Sequence, residues 1–123
     1  LVLIGFGMND NNREKFGVPV ETFAANLRTI ISRIRTETGA DVLLFSAFPP
    51  NPKWHYGSRN MEAYADVTER VALEEHCAFA DVYHLWMTVA ARKKPEDLLG
   101  NNINHPNDFG HWIYLQALEA VGL

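Results

Sequence analysis

The stretch "NNINHPNDFGH" at residues 101–111 carries two histidines, a proline and a glycine directly ahead of the apolar run "WIYLQALEAVGL". Histidine titrates near neutrality without perturbation, so His105 has the right type for a general base. Pro106 disfavours helical backbone at the residue before it, which keeps His105 extended and frees its ring to enter a cleft. A base needs a group whose proton it takes. The chain offers Ser32, Ser46 and Ser58. Ser46 stands near the end of an apolar strand pattern, Ser32 falls mid-helix and Ser58 in a loop. None has the glycine elbow that exposes a nucleophilic serine. His55, His76 and His84 show no ligand spacing, and Cys77 is the one cysteine, so neither a metal site nor an internal disulfide is expected.

The elements around these residues must position them. "LVLI" (1–4) is apolar at every position, as in a parallel strand covered on both faces. Beyond "GFGMNDNN", the apolar residues Phe23, Leu27, Ile30, Ile31 and Ile34 recur with helical spacing. Thr22 is the expected N-cap of that helix and Gly39 its stop. "ADVLLFSAF" (40–48) reads as a second strand, ended by "PPNP". Residues 59–78 read as a second helix and "FADVYHL" (79–85) as a third strand. "WMTVAARKKPEDLLG" reads as a helical connection broken at Pro95. The last helix opens at Asn107 or Asp108 and carries Phe109, Ile113, Leu115, Ala117, Leu118 and Val121. Alternating strands and helices imply a parallel sheet with right-handed crossovers, one α/β domain over residues 1–123. Sites in such sheets lie beyond the carboxyl ends of the strands. The loops "GFGMND", "SAFPPNP" and 84–107 all fall on that rim.

Composition narrows the function classes. With 47% hydrophobic and 21% charged residues the chain is of ordinary globular type. A net charge of −4 offers no basic surface to phosphates, which argues against nucleic acid as a partner. No apolar run approaches the roughly 18 residues of a membrane span. The apolar start lacks the basic lead-in and cleavage site of a signal peptide. Compartment stays open between cytoplasm and exterior.

Two segments, "GMND" (7–10) and "NHPNDFGH" (104–111), together resemble the third and fifth sequence blocks of the SGNH hydrolases, also called GDSL-type lipases and acylhydrolases. In that family a G-x-N-D loop follows the third strand and a D-x-x-H element precedes the last helix. The resemblance implies a three-layer, flavodoxin-like parallel sheet, of which this chain holds the latter three strands with their helices. It implies Asn9 as oxyanion-hole donor and His105 as general base, with Gly7 and Asp10 supporting the first loop. It also implies a serine esterase that needs no cofactor, of the bacterial carbohydrate O-acetylesterase kind, acting on a small-molecule or carbohydrate ester. The chemistry agrees with these roles. A fixed, neutral amide N–H at the developing oxyanion is worth on the order of 3 kcal/mol. Trp54, Tyr56 and Trp86 lie in or beside rim loops and could stack on a sugar ring or pack as core.

Two departures from the family pattern bear on mechanism. The Gly-Asp-Ser block with the nucleophile, and the block with the second oxyanion donor, have no counterpart in these residues. The resemblance therefore implies the latter part of a domain, inactive by itself. Asn102 stands where D-x-x-H has its Asp. An amide oxygen can accept the imidazole N–H, but it lends no charge to an imidazolium. In the family the strand at 1–4 would pair with the absent first strand, so an open edge is expected, completed by the N-terminal half or by a second copy. Two readings from other classes stand beside the enzyme. One is a non-catalytic sugar- or nucleotide-binding module using the same rim; the other is a structural or assembly domain whose sheet edge is the working surface.

Overall fold

Strands β1 (Val2–Ile4), β2 (Val42–Phe45) and β3 (Ala78–Ala80) pair in parallel in the order β1-β2-β3, in a computed structural model that describes residues 1–14 and 16–123. Parallel neighbours need crossovers. Helix α1 (Val20–Thr38) links β1 to β2, and α2 (Met61–Glu74) links β2 to β3. Successive residues of a strand face opposite sides, and β2 uses both. Val42 and Leu44 join Phe23, Leu27, Ile31 and Val71 in the core under α1 and α2. Leu43 packs the other way, against Ala80, Val82 and Ala117. Helices α3 (Val82–Ala90) and α5 (Asp108–Glu119) close that second face, with the short α4 (Pro95–Leu98) between them in sequence. The result is a three-layer α/β arrangement, built on the parallel sheet that the alternating pattern implies.

Several local features differ from the sequence reading. Thr22 does not cap α1; the helix begins at Val20, with Pro19 in the N-cap position and no side-chain cap. Pro19 adds no N–H of its own to satisfy, and its carbonyl accepts the Phe23 N–H at 2.8 Å as the first helical bond. Gly39 does end the helix, at φ 65, with its N–H on Arg35 O. Residues 82–85 do not continue the third strand but form the first turn of α3. Asp81 caps that turn, its Oδ1 accepting from the His84 N–H at 3.1 Å. On α5 the buried face is Gly110, Ile113 and Ala117, whereas Phe109 and Leu115 stay exposed. In β1, Ile4 is buried but Leu3 is 44% exposed, so one face of that edge strand is uncovered.

Cys77 stands just before β3, at the end of the sheet away from the carboxyl rim. It is half-buried, and burial pushes its thiol pKa up even though Arg35 Nη2 approaches Sγ at 3.4 Å. Among the described residues no helix is long and apolar enough to cross a membrane.

Candidate active site

After β1 the chain turns on its own atoms. Gly7 has φ 114, a value that L side chains rarely adopt, and it is buried. Its N–H donates to Asp10 Oδ2 at 3.0 Å, and the Asn11 N–H returns to Gly7 O at 2.8 Å. Asp10 is thus engaged inside the loop, and Asn9 is presented exposed between two buried anchors, Gly7 and Asn11. Beside it lies a hollow of about 180 Å³ bordered by Gly5, Phe6, Asn9, Phe45, Ala47 and Tyr114. Gly5 is required there, since a Cβ would lie 1.8 Å from the Phe45 ring. Burial pushes the Tyr114 phenol up to about 12, opposed by a backbone hydrogen bond with Phe48. Tyr114 therefore borders the hollow as a neutral group at any physiological pH.

The histidine loop is a closed hairpin. Leu99 and Pro106 form an antiparallel bridge, and the Gly100 N–H donates to His105 O at 2.9 Å. Inside it, Asn101 Oδ1 accepts the N–H groups of Ile103, Asn104 and His105 at 2.9–3.0 Å. Asn107 pins the exit: its Oδ1 caps α5 through the Gly110 N–H, and its Nδ2 donates to Asp97 O, both at 2.9 Å. Gly110 lets α5 close on the stem, because a Cβ there would lie 2.6 Å from Leu98 O and 2.7 Å from Pro106 Cβ. His105 itself is exposed, and its ring makes no hydrogen bond among the described residues. Asn102 adopts φ 56 and bonds to the fold through its carbonyl. Among the described residues no hydrogen bond joins the Asn102 side chain to His105.

Both loops lean on the segment that follows β2. At one end the Asn51 N–H donates to Ile103 O at 2.7 Å, and Asn51 Nδ2 donates to Asn102 O at 2.9 Å. At the other end the Ser58 N–H donates to Asn11 O at 2.9 Å, and the Ser58 hydroxyl donates to Asn11 Oδ1. The Arg13 N–H reaches Tyr56 O at 2.9 Å, and Asn12 and Gly57 form an antiparallel bridge. The sequence reading missed Asn51. Its one signal is that in "PPNP" the asparagine alone has a backbone N–H to give.

None of the local serines is set up as a nucleophile. Ser46 is fully buried; its hydroxyl accepts from the Tyr83 N–H at 2.9 Å and donates to Asp81 Oδ1 at 3.3 Å, which ties β2 to the start of α3. Ser58 is bound to Asn11, and Ser32 lies mid-helix in α1. Of the three aromatic residues considered for sugar stacking, Trp86 belongs to the core: it is 3% exposed, with its ring stacked on Phe48 at 4.2 Å. Trp54 is half-buried and Tyr56 is 45% exposed, their rings edge to face at 6.4 Å. Among the described residues no group of three or more His, Cys, Asp or Glu could hold a metal ion.

The parallel sheet, with helices on both faces and the asparagine and histidine loops on its carboxyl rim, defines a flavodoxin-like α/β fold. Residues 1–113 match the GDSL-like lipase/acylhydrolase family, and the chain belongs to that family. Among solved structures it is similar to Axe2, an acetylxylan esterase from Geobacillus stearothermophilus, at a TM-score of 0.80 and 22% identity. That superposition covers 98% of this chain and 58% of that one. A catalytic mutant of the same enzyme with alanine for a histidine gives 0.81, with the same identity and coverage. LAE5, an alpha/beta hydrolase enzyme from the metagenome of Lake Arreo, Spain, gives 0.76 at 23% identity, over 97% of this chain and 57% of that one. Catalytic mutants of Axe2 replace a serine, an aspartate and a histidine, the last two three positions apart. The chain thus spans less than two thirds of the length of these relatives. No curated protein matches it.

Proposed function

We propose that the rim described above belongs to a serine esterase of the SGNH type that removes O-acetyl groups from a carbohydrate. The observation that supports it is the family match over residues 1–113, with the Asn9 loop and the His105 loop both held by one segment of the rim. The nucleophilic serine comes from polypeptide outside these 123 residues, and the chain alone is inactive. That serine attacks the acyl carbon while His105 takes its proton, then passes it to the departing sugar hydroxyl. Water repeats the sequence with His105 again as base, and acetate leaves. In both tetrahedral intermediates the Asn9 side-chain N–H donates to the oxyanion. The Asn102 side-chain oxygen accepts the imidazole N–H when the ring turns to it, holding the tautomer without neutralising the imidazolium. Trp54 and Tyr56 flank the sugar. No step needs a cofactor.

The test uses the full-length protein with p-nitrophenyl acetate and acetylated xylo-oligosaccharide. His105→Ala should lower kcat on the order of 10⁴-fold. Undiminished turnover in that variant would refute the base assignment.

A further inference from the structure

Within the histidine hairpin nearly every hydrogen bond is local. The Gly100 N–H meets His105 O, and Asn101 serves Ile103, Asn104 and His105 from inside the loop. Such bonds fix the loop's shape but not its tilt against the rim. α5 and Asn107 hold the stem, and the hairpin's far end is reached from across the rim by Asn51, which is 7% exposed and sits between Pro50 and Pro52. Its two donors take two successive carbonyls of the hairpin, Ile103 O at 2.7 Å and Asn102 O at 2.9 Å. Its two acceptors are engaged on its own side, Oδ1 by the Lys53 N–H at 2.9 Å and the carbonyl by the Trp54 N–H at 2.8 Å. The amide orientation is therefore determined, because Oδ1 faces an N–H and Nδ2 faces a C=O.

Two further observations bear on these bonds. Apolar hollows of about 200 and 280 Å³ border the 49–52 run, so hydrogen bonding takes the place of dense packing beside it. Asn102 turns the chain at φ 56, a left-handed backbone that asparagine tolerates, and its carbonyl is the one that Asn51 Nδ2 holds. We infer that Asn51 is a positioning residue for the general base: its paired hydrogen bonds to Asn102 and Ile103 set where the His105 ring stands relative to the ester. The inference rests on the reading of His105 as that base. Only an amide of this length serves, since the site needs a donor and an acceptor on one short side chain. Aspartate has the shape and lacks the donor.

The test is Asn51→Asp in the full-length protein. The variant still accepts from the Lys53 N–H but sets a carboxylate oxygen against Asn102 O. Its kcat should fall about a hundredfold with KM held within about twofold, the mark of a displaced catalytic group. The ratio of variant to wild-type kcat should rise as pH falls toward the carboxyl's own pKa, where a protonated oxygen donates again. In a His105→Ala background the same substitution should change the residual kcat by less than about twofold. Asn51→Ala, which introduces no charge and keeps the backbone bond to Ile103, should show a fall of about tenfold in the same kcat-only pattern. An equal loss in both backgrounds, or an unchanged kcat in either Asn51 variant, overturns the inference. His105→Ala assayed alone separates it from the reading beneath it. Full turnover there removes the base assignment and this inference with it, whereas a dead His105→Ala beside fully active Asn51 variants removes this inference only.

Discussion

Between Gly7 and Asn11 the chain is anchored on buried residues at both ends, and Asn9 projects between them. Between Gly100 and His105 most residues are exposed, and two backbone carbonyls of the hairpin are held by one residue, Asn51, through its side chain and its backbone N–H. The two loops share a rim and differ in how they are fixed, and the difference suits the tasks proposed for them. A donor to an oxyanion works through prior placement, because its contribution is lost if it must reorganise during the reaction. A base carries a proton from one oxygen to another, and an exposed ring on a hydrogen-bonded backbone leaves it room to turn. In the proposed roles, buried neighbours secure the donor that must stay fixed, and hydrogen bonding secures the base that must turn.

The contrast is broken most directly at Asn9. In the full-length protein Asn9→Ala should lower kcat on the order of 10²–10³-fold with little change in KM. Steady-state kinetics on an activated acetate ester measure this, and a loss carried by KM instead would make Asn9 a ground-state contact. Gly110→Ala presses on the other loop. A Cβ 2.6 Å from Leu98 O and 2.7 Å from Pro106 Cβ must push α5 off the hairpin stem, at a cost of about 1–3 kcal/mol in denaturant unfolding. Unaltered stability would mean that the stem gives way freely, contrary to the close fit described here. Ser58→Ala probes the frame of the Asn9 loop. It removes the hydroxyl that donates to the buried Asn11 Oδ1, and stability should fall by roughly 1–2 kcal/mol. A neutral result in chemical denaturation would detach the Asn9 loop from the 51–58 segment.

What was legible in the sequence was local. The apolar run of β2, the stop at Gly39 and the cap at Asn107 each depend on residues within a turn or two, and each stands where the pattern put it. The third strand was overextended because "VYHL" suits a strand and a helix alike, and periodicity cannot separate them over so short a run. The Asp81 cap decides in favour of the helix. Trp86 looked like a candidate sugar platform because its neighbour Phe48 is far away in sequence and only the fold brings their rings together. Asn51 was invisible for the same reason. Its partners are about fifty residues further on, and "PPNP" says only that a strand has ended. The residue types of the candidate site could be read; the hydrogen bonds that aim them could not.

Cys77 gives the molecule a clock. The chain's one thiol sits at the foot of the sheet, half-buried and pushed up in pKa by that burial, while Asn9 and His105 occupy the opposite end. A thiol raised in this way alkylates more slowly than a free one at the same pH. Its alkylation rate is a time base read from the foot of the sheet, at a position that no ester or catalytic substitution touches.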